Sequence, residues 1–164
     1  MNSARRYWLM KSEPEECSID DALAAPEATV PWTGVRNYQA RNFMRDQMRV
    51  GDGVLFYHSS CAEPGIAGLA RVASGTRPDP TQFDAASPYF DPKSPPAAPR
   101  WLLLDVQALR KTRLIALPEL RGHPELAELT ILQRGNRLSI TELSALHWHR
   151  VLELAGVNAE AWDT

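Results

Sequence analysis

Arg36, Arg41, Arg45 and Arg49 crowd one short stretch that holds a single acid, Asp46. Arginine's planar fork matches phosphate or carboxylate, although the same spacing also fits a solvated face balanced by acids elsewhere. Near that stretch stand the side chains a flat heteroaromatic ligand requires. Trp32 and Tyr57 offer faces, while Ser12, Asn37, His58 and Ser59 offer edge contacts. Arg36 and Arg41, with Arg134 and Arg137 further along, can meet phosphates. A nucleobase is apolar on its faces and polar at its rim, so this set of residue types fits one. Each also has a plainer role: Trp32 and Tyr57 as core packing, His58 as a satisfied histidine at a strand end.

Residues arranged for catalysis are harder to find. There is no GxGxxG, GxxxxGK[ST] or GxSxG run. His147 and His149 lie two apart, and on a helix such residues point to nearly opposite sides, so they cannot grip one ion. No metal and no cofactor are expected. Glu13, Glu15 and Glu16 read as charges near a helix start rather than paired acid–base groups. Cys61 near His58 lacks a third group to orient a thiolate pair. Cys17 and Cys61, the only cysteines, read as idle thiols rather than a disulfide. An enzyme remains the alternative, a hydrolase of nucleotides or modified bases using His58 and a nearby acid. A sensor of free nucleotide or base is a third class.

The elements that must position these groups follow from periodicity. Tyr7–Lys11 predicts a first strand, and Ser18 predicts an N-cap for a short helical turn with Asp21. Tyr38–Met48 predicts a helix, with Ala40, Phe43, Met44 and Met48 on its buried face. Gly51-Asp52-Gly53 breaks it before a strand at Val54–His58, and a second strand covers Gly65–Val72, where interior glycines predict a bulge or a close backbone approach. Seven prolines between Arg77 and Arg100 forbid a long helix or central strand. An ordered excursion is expected there, with Phe83, Tyr89 and Phe90 to bury. Trp101–Val106 predicts a further strand, Pro118–Gly122 a short helix, Leu138–Ile140 a strand, and Ser144 to Gly156 a capped last helix. Trp8, Trp101 and Trp148 belong to the core. Strands with short helices inserted, and no βαβ rhythm, predict a mixed α+β, barrel-like fold.

The totals bound the class. A length of 164 residues, 44% hydrophobic and 23% charged, predicts one globular domain over 1–164. No apolar run approaches the roughly 20 residues that span a bilayer, and Met1–Arg6 carries two arginines without an apolar signal core, so a cytoplasmic location is expected. A net charge of −2 excludes a general basic coat for nucleic acid.

Beyond these patterns, Tyr7–Pro14 resembles the EVE domain family. The likeness continues through Trp32–Asn42, Phe56–Cys61, Pro64–Gly68, Tyr89–Ser94, Arg100-Trp101, Asp105-Val106 and Gln133–Ser139. Blocks in the same order over nearly the whole chain are more specific than one motif. Two positions depart: Thr33 stands where an acid is usual, and Ile140-Thr141-Glu142 replaces a proline-containing continuation. The resemblance implies a PUA-like β-barrel with short flanking helices and a pocket on one side. EVE domains resemble YTH domains, which read methylated adenine in RNA through an aromatic cage. By that likeness Lys11 and Ser12 fall at the strand-end polar positions, Trp32 at a cage tryptophan and Asn37 at an asparagine. Tyr89 is assigned as the second aromatic wall, and Ser139, closing the last block, joins the binding set. The expected function is non-catalytic recognition of a modified nucleobase, the partner being DNA or RNA that carries it, or a free nucleotide or base.

Overall fold

Ser18 decides where the first helix begins. Its hydroxyl accepts from the Asp21 N–H at 3.0 Å, and the Asp21 carboxylate accepts from the Ser18 N–H at 2.9 Å. This reciprocal box satisfies two orphan donors and starts α1 (Ile19–Ala24) just after β1 (Tyr7–Ser12). The structure, a computed structural model, describes residues 5–164; the first four residues of the N-terminal stretch considered above lie outside the described residues. Next come β2 (Thr29–Pro31), α2 (Tyr38–Asp46), β3 (Gly53–His58) and β4 (Gly65–Val72). The two-residue strands β5 (Arg77–Pro78) and β6 (Leu102–Leu103) bracket the proline-rich segment. β7 (Asp105–Ala116), α3 (Leu117–Arg121), β8 (Ile140–Leu143) and α4 (Ala145–Ala155) complete a mixed α+β architecture.

Six strands form one sheet in the order β2-β7-β4-β3-β1-β8, with β1 and β3 parallel and every other neighbour antiparallel. Register slips at Phe56/Tyr57, Ile66/Gly68 and Leu69/Ala70 mark irregularities of the kind that bend and twist strands. The sheet curls: Trp32, directly after edge strand β2, sets its ring edge-on to Phe56 of β3 at 5.3 Å, although β7 and β4 intervene in the pairing order. Among the described residues the ladder does not join β2 to β8, so the expected barrel is observed as an open, curled sheet.

Strand alternation sorts the apolar residues onto two faces. Trp8, Met10, Val54 and Phe56 pack inside the curl with Ile19 of α1 and Met44 of α2. Leu9, Leu55 and Tyr57 face the other way, toward Trp148, Val151 and Leu152 of α4. Gly68 permits a close approach on the inner face, since a Cβ there would stand 2.6 Å from the Ile19 side chain and 2.7 Å from the Arg110 carbonyl.

Three expectations are revised. β7 continues ten residues past Val106, because Gln107–Arg113 alternate in burial without the apolar signature of a strand. β2 was not anticipated, being three residues long, and β8 begins at Ile140 rather than Leu138. The proline-rich segment is ordered by polar bonds instead of buried phenylalanines. Phe83 and Phe90 are 41% and 40% exposed, whereas the buried Gln82 amide donates to the carbonyls of Asp79 (2.7 Å) and Trp101 (2.8 Å).

His58 joins β3 to α1, its Nε2 accepting from the Ile19 N–H at 3.1 Å. Only neutral imidazole can do this. Burial lowers the His58 pKa below the ordinary 6.5; Lys111 adds to the effect, while Asp20 and Asp21 oppose it. Because the folded-state value lies below the unfolded one, the contribution to stability is complete above 6.5 and is lost as pH falls below it. Thermal melts between about pH 7.5 and 5.5 should therefore show Tm falling through this window. His58→Gln, whose amide oxygen can still accept from Ile19, should flatten the fall; an equal slope in both proteins would remove His58 from the linkage.

Candidate functional site

β1 lies between β3 and β8, so its C-terminal end is held from both sides. The Lys11 N–H donates to the Ser139 carbonyl at 2.9 Å, and the Ser59 N–H donates to the Ser12 carbonyl at 3.0 Å. Three segments thus meet at one point: the end of β1, the turn after β3 and the approach to β8. Across from them stands Trp32, its backbone N–H bonded to the Leu104 carbonyl at 2.8 Å and the residue only 7% exposed. Between the two lies a cavity of about 460 Å³, within the range that holds small organic ligands. Val30, Pro31 and Val35 give it apolar surface, and Ser60 extends its polar rim.

The far wall is built by a buried charge. Asp79 is fully buried and accepts from the Gly34 N–H at 2.9 Å, the Arg36 guanidinium at 3.0 Å, and the N–H and hydroxyl of Thr81 at 2.8 and 2.6 Å. Burial alone would raise its pKa, but these hydrogen bonds outweigh burial and bring it below the ordinary carboxylate value. The rest of the Arg36 guanidinium donates to the Tyr89 carbonyl at 3.0 and 2.8 Å. Tyr89 then lies flat on Gly34, whose φ is +84° and whose missing Cβ would stand 2.7–2.9 Å from three ring atoms. The Tyr89 hydroxyl donates to Glu16 at 2.7 Å, so the ring spans the cavity from one loop to another. Burial first, and then the Glu16 carboxylate, raise the phenol's pKa well above 10.

Donors and acceptors inside are largely assigned. The Ser12 hydroxyl donates to the Cys17 carbonyl at 2.6 Å, which leaves its oxygen free only to accept. Lys11 alternates with Ser12 along β1 and pairs in register with Tyr57, so its side chain leaves the strand on the other face; burial lowers its ammonium from the ordinary 10.5. The Cys17 thiol is raised by burial and by Asp21, which keeps it protonated. Among the described residues no group of three or more His, Cys, Asp or Glu side chains could hold a metal ion.

Of the residues singled out from sequence, Lys11, Ser12, Trp32, Ser59, Tyr89, Arg137 and Ser139 line this cavity. The others do not. Asn37 is the N-cap of α2, accepting from the Gln39 and Ala40 N–H groups at 2.8 and 3.1 Å. Arg36 is engaged beneath Tyr89. Arg41 donates to the Arg100 carbonyl at 2.9 Å and covers the Tyr38 ring. Tyr57, 2% exposed, points to the opposite face because it follows Phe56 in the strand. His58 is held by the Ile19 N–H at the start of α1, as described. Arg134 lies exposed, three residues before Arg137 and outside the cavity.

Glu16, Cys17, Val30, Pro31, Gly34, Val35 and Asp79 were not among the candidates. Thr33, noted only as a departure, lines the cavity. For Gly34 the usable signal was its place between Trp32 and Arg36, where a left-handed turn needs glycine. Asp79 carried no signal beyond being an Asp before a proline.

A sequence-family profile described as EVE domain matches residues 6–154. Human thymocyte nuclear protein 1 is 42% identical over 165 residues, covering 90% of this chain and 73% of that protein. The crystal structure of human THYN1 protein in complex with 5-methylcytosine-containing DNA superposes with a TM-score of 0.87 at 41% identity, covering 93% of this chain and 99% of that one. A crystal structure from Pseudomonas putida gives a TM-score of 0.86 at 43% identity, covering 91% and 99%. The chain belongs to the EVE domain family.

Gly34→Ala tests the far wall. Its left-handed backbone should cost roughly 1–2 kcal/mol, and the added methyl must displace the Tyr89 ring. Ultraviolet titration should then show one tyrosine returning toward an ordinary phenol, together with a lower Tm. An unchanged titration curve would mean that the ring does not rest on Gly34.

Proposed function

We propose that this EVE-domain chain binds DNA carrying a modified cytosine, 5-methylcytosine foremost, by drawing the base into the cavity between β1 and Trp32, without catalysing a reaction. One observation carries this: a base-sized cavity lined by two aromatic residues, Trp32 and Tyr89, by the serines Ser12, Ser59, Ser60 and Ser139, and by the apolar Val30, Pro31 and Val35. The DNA complex of human THYN1 protein, described above, supports the choice of DNA and of methylcytosine.

The energetics are adequate. Extracting a base from its stack costs a few kcal/mol, and stacking on an aromatic side chain returns roughly 1–3 kcal/mol. A 5-methyl group set against Val30, Pro31 and Val35 adds about 1–3 kcal/mol of discrimination, the usual worth of one methylene-sized group in an apolar pocket. Phosphate contacts fall to Arg137 at the rim and Arg134 beside it, since Arg36 and Arg41 are used internally. The scaffold is read as a PUA-like barrel arrangement, supported by the curl that brings Trp32 across to Phe56.

Binding rather than turnover is favoured by the state of the nucleophiles. The cavity thiol of Cys17 is held protonated, Ser12 gives its proton to a carbonyl, and His58, the base an enzyme would use, is bound to Ile19.

Duplexes with one central 5-methylcytosine should bind roughly 10–200-fold more tightly than the unmodified duplex, with the modified base recovered intact after hours of incubation. Equal affinity for both duplexes would refute the reading. RNA carrying the same base and the free nucleoside complete the comparison; either one binding as well as the DNA would change the ligand class. Trp32→Phe, which keeps packing against Phe56 but shortens the wall, should lose most of this preference while still melting cooperatively. In the Arg134→Ala/Arg137→Ala double variant the log–log salt slope should fall by about 0.9 per lost contact. An unchanged slope would assign both arginines to solvent.

A further inference from the structure

Glu13 and Glu16 line the cavity together with Trp32 and Tyr89. Among the described residues neither carboxylate has an ion-pair partner. Both lie within electrostatic reach of Tyr89: burial first, then Glu16 and Glu13, raise its phenol. The nearby cations do not offset them from inside. Lys11 sends its side chain to the other face of β1, and Arg36, 5.5 Å over the Tyr89 ring, has its charge met by Asp79. Among the described residues Arg137, which is exposed, is the one cation left in the lining. Two carboxylates against one guanidinium give the cavity a negative potential, which concave, low-dielectric walls concentrate.

A neutral base makes little use of that potential, whereas a positively charged one does. Methylation at a ring nitrogen turns cytosine, adenine or guanine into a cation and keeps it flat. Such a ring is drawn to aromatic side chains as well as to carboxylates, and indole is the strongest aromatic partner. We propose that the cavity also takes cationic, N-methylated nucleobases and holds them more tightly than neutral bases of the same size, with Glu13 and Glu16 supplying the countercharge. This goes beyond the neutral 5-methylcytosine of the reading above and rests on it only in needing a base to enter the cavity.

The two acids contribute differently. Glu16 accepts from the Tyr89 hydroxyl at 2.7 Å, and a phenol that donates to a carboxylate gains electron density in its ring. The Glu13 carboxylate accepts no hydrogen bond among the described residues, so its charge is available to a ligand. Phosphates meet the opposite field: the acids repel them, and they stay with Arg137 and in solvent while the base alone enters. Because Glu13 and Glu16 are exposed, the preference weakens as salt rises.

3-Methylcytosine and 5-methylcytosine are isomers, the first cationic near neutral pH and the second neutral, so they form a matched pair. The test places 3-methylcytosine, 5-methylcytosine or cytosine at the centre of one short single-stranded DNA, where no base pair has to be broken. At low salt the native protein should bind the 3-methylcytosine strand roughly 3–30-fold more tightly than the 5-methylcytosine strand. The Glu13→Gln/Glu16→Gln double variant keeps side-chain size and an acceptor for Tyr89 but removes both charges. It should lose most of that ratio while keeping the 5-methylcytosine to cytosine ratio, and thermal melts check its folding. Glu13→Gln alone, which disturbs no hydrogen bond, should lose part of the ratio even if the double variant is unstable. Glu15→Gln, in the same turn but outside the lining, should leave it unchanged. Equal binding of the two methylated strands by the native protein overturns the inference, and so does a full ratio in the glutamine variants. The two readings fail separately. Both methylated strands binding alike and above cytosine leaves the methylcytosine reading standing without the cationic class. A preference for 3-methylcytosine, with 5-methylcytosine no better than cytosine, supports the cationic class and refutes the methylcytosine reading.

Discussion

The buried carboxylate of Asp79 organises the site side of the molecule. A charge removed from water must be met by donors, and here those donors come from two distant segments: Gly34 and Arg36 on one, Thr81 on the other. Satisfying one carboxylate therefore locks the loop after Trp32 to the start of the proline-rich segment. Arg36 carries the constraint onward to the Tyr89 carbonyl, and Gly34 supplies the flat floor on which the Tyr89 ring lies. Removing Asp79 would leave the Gly34 and Thr81 N–H groups without their acceptor and Arg36 without its ion-pair partner, so the wall and its support stand or fall together.

The opposite wall depends on topology. β1 is flanked by β3 and β8, which fixes the end of the strand on both sides and sets Ser12 at the cavity. The curl of the sheet then brings the far edge strand around, so that Trp32 packs on Phe56 while one side of it borders the cavity. Trp32 belongs to the core and to the cavity wall at once. On the proposed reading, recognition and stability are coupled through it: a ring fixed by core packing loses little entropy when a ligand arrives, which is the physical benefit of building a wall from a mostly buried side chain.

Much of the fold was legible because local signals were strong. The Ser18 box, the Ser144 and Gly156 caps, and the apolar faces of β3, β4 and α4 each follow from spacing alone. The site was only partly legible, because sequence shows donors without their partners. Arg36 and Arg137 are the same residue type, yet one is spent on Asp79 and Tyr89 and the other stands at the rim. Asn37 offers the same polar edge as Ser12 but is consumed by capping α2. Tyr57 was misjudged by a single step of strand alternation. The polar scaffold of the proline-rich segment, Gln82 above all, had no signature because its partners are backbone carbonyls, which every sequence contains.

Charge decides where selectivity must come from. With a net charge of −2 the chain carries no overall positive charge, so on the proposed reading attraction to DNA falls to a few groups near the cavity mouth. Each phosphate contact adds affinity for every sequence equally and weakens with salt. A protein with few such contacts starts from weak non-specific binding, and any measurable preference must be generated inside the cavity, where apolar contact and fixed donors and acceptors are little affected by ionic strength. On that reading a small basic footprint and a cavity of mixed aromatic and hydrogen-bonding character reinforce each other: the weaker the general attraction, the larger the share of binding that depends on which base enters.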